Sequence, residues 1–197
     1  MTEAPFRLTI CGIAELGSYE GHGVTHVVSI LDPGTPLPPA FHSYPDHVRL
    51  DLTFDDIIEE SEDEVPPGRA DVERVLAFGR TMLARSVEVP HLLVHCHMGI
   101  SRSTAAAALL IAQAEPETPA EAIIARIAAQ RPKAWPNLRM IEFGDAILGR
   151  QGTLVAAVRA RHYALGQTQP EVVRFMASVG RHREIEGLEH LVGEPAA

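Results

Sequence analysis

The chain has 197 residues and a mass of 21.4 kDa, which suits one domain with an extension and excludes a large multidomain enzyme. Apolar residues make up 46% and charged residues 22%, ordinary globular usage that excludes a disordered chain, and a chain this long buries enough surface to fold without disulfide staples. Seventeen basic against 26 acidic residues leave a net charge of −9, which argues against a broad nucleic-acid face or attraction to an anionic membrane, but not against a small local anion site. The two cysteines, Cys11 and Cys96, are too few for a disulfide framework. The opening MTEAPFRLTI lacks the basic stretch and apolar core of a signal peptide, and the longest apolar run, Ala105 to Ala112, is far too short to span a membrane. The expectation is a cytoplasmic protein whose thiols stay reduced.

In chain order, Phe6 to Ile13 is a short β-prone run. Gly23 to Ile30 is β-branched and reads as a second strand, stopped by Asp32-Pro33-Gly34, and the proline-rich stretch to Pro39 reads as loop. Val48, Leu50 and Leu52 alternate with polar residues and predict a third strand. The acidic segment Asp55 to Glu64, ended by Pro66-Pro67-Gly68, reads mostly as a solvated loop. Val72, Val75, Leu76, Gly79, Met82 and Leu83 fall on one helical face. His91 to His95 is a compact apolar run after Pro90 that suits a buried strand, and Ser101 to Gln113 is an alanine-rich helix. Thr118-Pro119-Ala120-Glu121 has the form of a capping box opening a helix to about Gln130, and Asn137 can cap another that stops near Gly149. Thr153 to Leu165 and Pro170 to Val179 predict two more helices, and the final polar residues are expected to fray. Strands first and helices later favour an α/β fold, with a central mixed or parallel sheet flanked by helices and a helical C-terminal extension.

The chemistry is concentrated in Val94-His-Cys-His-Met-Gly-Ile-Ser-Arg-Ser-Thr104. Cys96 and Arg102 are separated by five residues, at the end of a buried strand and the start of a helix. A short loop there can aim its backbone N–H groups at one point, and the helix N-terminus adds partial positive charge. Arg102 offers a planar, permanently charged fork that matches two phosphate oxygens. Gly99 permits a backbone conformation other residues resist. An anion held there touches Cys96, and the same field favours a thiolate. In a chain with 16 arginines the Cys–Arg spacing alone is a weak signal; His95 before it, Gly99 within it and Ser103 after it make it specific.

His95-Cys96-x-x-Gly99-x-x-Arg102-Ser103 resembles the signature of the cysteine-dependent protein-tyrosine phosphatases, and Gly99-Ile-Ser-Arg-Ser103 is most similar to the dual-specificity branch. Gly23-Val-Thr-His-Val-Val-Ser-Ile30 is similar to a strand of that branch, and Arg131-Pro132 with Pro136-Asn137 resembles a segment before a late helix. The resemblance covers about residues 5 to 150; the longer acidic stretch, the added tail and His97 depart from it. It implies a phosphatase unit over 1–150 and an extension over 151–197 packed on it. It further implies phosphate-ester hydrolysis without metal or other cofactor. Cys96 attacks phosphorus, and the Arg102 side chain with the loop amides of His97, Met98, Gly99, Ile100, Ser101 and Arg102 binds the phosphate. Ser103 bonds the sulfur, and His95 shapes the loop and tunes the thiol. The leaving group needs an acid from a loop 30 to 40 residues earlier. Asp51 lies inside the third strand and reads as structural; Asp55 and Asp56 follow it, the count from Leu52 favouring Asp56, with Glu59 to Glu64 as further candidates.

The implied substrate is a phosphorylated protein, phosphotyrosine foremost, or a small phosphate ester. The signature lacks the lysines that accompany highly charged substrates such as phosphoinositides, having His97, Met98, Ile100 and Ser101 instead. A binding module that does not turn over is the alternative of another class, and a sulfur transferase a further one. A zinc site from His95, Cys96 and His97 fits no common ligand spacing. Cys11 reads as a core residue, with a disulfide to Cys96 on oxidation as the other reading; Trp135 reads as packing, and His162, His182 and His190 have no evident partner.

Overall fold

The computed structural model describes residues 5–85 and 89–193. Four strands, β1 (Arg7–Gly12), β2 (His26–Leu31), β3 (Val48–Thr53) and β4 (His91–Cys96), form one sheet in the order β1-β4-β2-β3, with every pairing parallel. The helices are α1 (Arg69–Arg85), α2 (Arg102–Ala114), α3 (Ala120–Gln130), α4 (Leu138–Leu148), α5 (Thr153–Thr168) and α6 (Pro170–Ser178). Short 3-10 turns cover Ile13–Tyr19, Pro39–Ser43, His182–Glu184 and Glu189–Leu191.

β4 is the middle of the sheet, and all six of its residues are buried. Alternation sends Leu92, Val94 and Cys96 to the face covered by the helices. Leu93 points the other way, to a smaller cluster with Cys11, Val27, Leu16 and Phe41 under the 3-10 turns. Cys11 and Cys96 therefore lie on opposite faces of the sheet, which fits Cys11 as a core residue; burial pushes its thiol up to about 12.

α2 runs through the centre of the helical layer and is buried from Arg102 to Ala112, its run from Ala105 to Ala112 being apolar on every side. Its alanines let neighbours approach: a Cβ on Gly79 of α1 or Gly144 of α4 would lie 2.5 or 2.1 Å from a Leu110 or Leu109 methyl. Asn137 caps α4, its side chain accepting the Met140 N–H, and Gly149 ends that helix in the left-handed region at φ 65°. The expected Thr118 capping box does not form. α3 begins after Pro119 with no side-chain cap, and the Thr118 hydroxyl bonds Glu115 instead.

Leu154, Ala157 and Val158 of α5 join the main core, while Leu165, Val173, Met176, Ile185 and Leu188 form a further cluster around Trp135. Among the described residues no helix is long and apolar enough to cross a membrane. The chain end expected to fray includes residues 194–197, which lie outside the described residues.

Candidate active site

The loop from Cys96 to Arg102 leaves the C-terminal end of β4, the place where parallel sheets gather ligands. Its carbonyls are tied outward one by one. His97 O accepts from Ile13 N at 3.0 Å, and Trp135 N donates to Ile100 O at 2.9 Å. Arg131 donates to Met98 O and Gly99 O, both at 3.0 Å. Ser101 O accepts from Ala105 N at 3.0 Å and from the Thr104 hydroxyl at 2.8 Å. A peptide whose carbonyl is held from one side sends the next residue's N–H to the other, so the amides of Met98 to Arg102 are turned away from these anchors. Among the described residues none of the amides from His97 to Ser101 donates to a protein acceptor.

Two glycines make this curl possible. Gly99 sits at φ 68°, and a Cβ there would be 2.5 Å from the Cys11 carbonyl carbon. Gly12, at the end of β1, faces the loop from outside, where a Cβ would come within 2.7 Å of His97 O. Glu15 braces both: it accepts the Gly12 N–H and the Arg131 guanidinium, each at 2.7 Å.

Cys96 is buried, with Sγ 3.2 Å from the Ser103 hydroxyl at the first turn of α2. Arg102 is 3% exposed. Its Nη1 donates to Asp32 Oδ1 at 2.5 Å and to Phe54 O at 2.6 Å. His95 lies under the loop against Phe41, and burial lowers its imidazole to about 4, so it is neutral. His97 Nε2 is 3.3 Å from the Asp32 carboxylate, at the rim.

The two aspartates after β3 differ. Asp55 closes the acidic loop on itself: its N–H donates to Val65 O and its carboxylate accepts the Val65 N–H, both at 2.7 Å. Asp56 turns toward the signature loop. Its Oδ1 accepts from Ser101 Oγ at 2.7 Å, Asn137 Nδ2 at 2.9 Å and Arg181 Nη1 at 3.0 Å. Its Oδ2 faces Arg102 Nε at 3.9 Å. Burial alone would raise the Asp56 carboxyl; Arg181 and Arg102, with the Asn137 and Ser101 bonds, outweigh it and hold the group below the usual aspartate range. Asp51 pairs with Arg49 on the strand, and Glu59 and Glu60 pair with Arg183 and Arg139, away from Cys96.

Cys96, Arg102, Asp32, Asp55 and Asp56 line one cleft of about 900 Å³. Its outer wall is apolar, built from Ile100 and from Val172, Phe175, Met176 and Val179 of the C-terminal region. Sequence reasoning did not single out Asp32, Arg181 or this wall. Asp32 had a signal, being the first residue after a buried parallel strand; Arg181 had none. Trp135 is fully buried and stacks on His162 at 4.2 Å, giving that histidine its partner.

No family model and no curated protein matches the chain. Solved structures do. Human DUSP28 superposes with a TM-score of 0.55 at 18% identity, over 75% of this chain and 96% of its own. A mouse putative dual specificity phosphatase, solved with zinc tungstate, gives 0.55 at 19% over 77% and 91%. The human tyrosine phosphatase-like serine/threonine/tyrosine-interacting protein gives 0.55 at 18% over 73% and 92%. The chain has the α/β fold of the dual-specificity phosphatases.

Proposed function

We propose that the protein is a phosphate monoester hydrolase working through a cysteinyl-phosphate, with protein phosphotyrosine as its principal substrate and dual specificity within reach of the same cleft. The observation that supports this reading is the anchoring of the loop carbonyls from His97 to Ser101 by outside donors, beside a buried Cys96 and a buried Arg102. The fold is that of proteins with this chemistry, and the signature occupies the loop where the fold places its site.

In this mechanism the Cys96 thiolate attacks phosphorus, forming the S–P bond as the P–O bond to the leaving group breaks. Arg102 exchanges Asp32 for two phosphate oxygens, and the amides of His97 to Ser101 stabilise the charge developing on the equatorial oxygens. Asp56 delivers the proton to the departing oxygen. Among the described residues its Oδ1 takes three donors and its Oδ2 none within hydrogen-bond distance, so the proton rides on Oδ2. Asp55, occupied with Val65, shapes the loop instead. Water then attacks the phosphocysteine, and the Ser103 hydroxyl stabilises the departing sulfur. His95, neutral and buried, orders the loop without moving a proton.

The apolar wall fits an aromatic ester better than an inositol polyphosphate. Among the described residues that line the cleft, Lys133 is the one lysine or arginine besides Arg102 and Arg181, and Glu64 and Glu171 line it too. We assign residues 1–150 to the catalytic unit and 151–197 to an extension packed on it, and place the protein in the reducing cytoplasm.

The test is hydrolysis of p-nitrophenyl phosphate in the presence of EDTA by the wild type and Cys96→Ser. Turnover by the first and none by the second supports the reading. Turnover retained by Cys96→Ser sinks the nucleophile assignment. No turnover by either, with vanadate still raising the melting temperature, identifies a binding module.

A further inference from the structure

One of the three donors on Asp56 Oδ1 comes from the far end of the chain. Arg181, just beyond α6, is 3% exposed. Its Nε and Nη2 meet Glu184 Oε2 and Oε1, both at 2.7 Å. Its Nη1 reaches Asp56 Oδ1 at 3.0 Å, and Nη2 also donates to Ser101 Oγ at 3.0 Å. Glu184 is fixed in turn by Trp135 Nε1 at 2.7 Å and the Leu138 N–H at 2.8 Å. Burial pushes the Glu184 carboxyl up, but all its partners can only donate, so it stays ionised. With all three nitrogens engaged, this guanidinium cannot turn to a substrate; it joins the tail, the acid and the signature loop.

Two carboxylates, Asp56 and Glu184, and two guanidiniums, Arg181 and Arg102, meet around Asp56 in the free protein, and Asp32, paired with Arg102 at 2.5 Å, adds a third carboxylate. Asp32 reaches the group only through Arg102, while Lys133, Glu64 and Glu171 line the cleft farther out. When Arg102 turns to a phosphate dianion, the two carboxylates keep one cation between them. A proton taken up by Asp56 offsets the loss of that cation, and Oδ2 is the oxygen left to receive it.

We propose that Arg181 is a positioning residue for proton delivery: clamped by Glu184, it pins Asp56 Oδ1 so that the transferable proton sits on Oδ2, and it holds Ser101 in register with it. The inference rests on the phosphatase reading and on Asp56 as the acid. As the P–O bond breaks and the S–P bond forms, that proton passes to the ester oxygen, leaving Asp56 ionised and the product a neutral alcohol or phenol.

Leaving-group dependence separates this role from a structural one, because a good leaving group departs without a proton and a poor one does not. The experiment compares kcat/KM for p-nitrophenyl phosphate and phenyl phosphate in the wild type, Arg181→Lys and the double variant Arg181→Met with Glu184→Gln, which removes both charges of the buried pair together. The double variant is expected to lose about tenfold or less on p-nitrophenyl phosphate and about 100-fold or more on phenyl phosphate, with Arg181→Lys recovering part of the difference. Equal losses on both esters, or no loss, overturn the assignment. If the double variant does not fold, Arg181→Lys decides alone: a loss confined to phenyl phosphate supports the role, and a uniform or absent one removes it. A wild type that hydrolyses neither ester brings down the phosphatase reading and this inference with it. Cysteine-dependent turnover with unchanged leaving-group sensitivity brings down only the inference.

Discussion

In the proposed mechanism Asp56 carries the most demanding chemistry, because an acid must hold its proton and this one is built to lose it. Arg181, Arg102, Asn137 and Ser101 overcome the burial that would raise it and keep it ionised in the free protein. An acid with a depressed pKa deprotonates at lower pH, so kcat/KM is expected to fall with rising pH from the acid range onward. Asp56→Asn should remove that descending limb and cost about 10²–10³ in kcat on an ester with a poor leaving group. A pH–rate profile of both proteins checks this; an unchanged limb in Asp56→Asn hands the role to another carboxylate, Asp55 first. Asp32 poses a different constraint. It occupies the Arg102 guanidinium at 2.5 Å, so in the proposed mechanism a phosphate must displace a carboxylate before the arginine can bind it.

At the scale of elements, the site is a strand end, a loop and a helix start, held in shape by neighbours that grip the loop carbonyls. Gly12 is one of the tight contacts. Gly12→Ala forces a Cβ against His97 O, at 2.7 Å in the present geometry, and should cost about 1–3 kcal/mol of stability. It should also cut turnover at least tenfold, because the displaced carbonyl turns the next amide with it. Thermal melts and p-nitrophenyl phosphate kinetics read the two effects, and a variant unchanged in both would show that the β1 contact is slack. The local parts of this arrangement were legible in the sequence. Cys96, Gly99, Arg102 and Ser103 lie within eight consecutive residues, and β4 and α2 on either side follow from their apolar runs. Asn137 was read correctly as a cap, but not as a second donor to Asp56. Thr118 shows the limit of local signals. Its capping-box pattern was right for a helix start, yet its hydroxyl went to Glu115.

Across the whole molecule, the features that escaped sequence reasoning are those that depend on long-range closure. Arg181 reaches Asp56 across 125 positions and Arg102 reaches Asp32 across 70, and no periodicity marks such pairs in advance. The same closure buries titratable histidines. His95 is lowered to about 4 by burial, and His162, stacked on Trp135, lies well below its ordinary value for the same reason. Both are neutral in the folded chain and take up protons more readily when it unfolds. Stability is therefore expected to fall as pH drops from about 6.5 toward 4, His95 alone accounting for on the order of 3 kcal/mol. Replacing His162 by Phe keeps a ring on Trp135 and removes one titration, so it should shrink the difference in denaturant midpoint between about pH 7 and about pH 5. An undiminished difference would exclude His162 as a contributor.

The central claim is a covalent bond between Cys96 and phosphorus, and trapping that bond tests it most directly. The measurement is a rapid denaturing quench during turnover of p-nitrophenyl phosphate, followed by peptide mass spectrometry of the wild type and Ser103→Ala. One phosphoryl group on the peptide carrying Cys96 is predicted, more abundant in Ser103→Ala because the sulfur departs more slowly without its hydroxyl partner. Steady turnover with no adduct in either protein, or an adduct on a different residue, would contradict the mechanism.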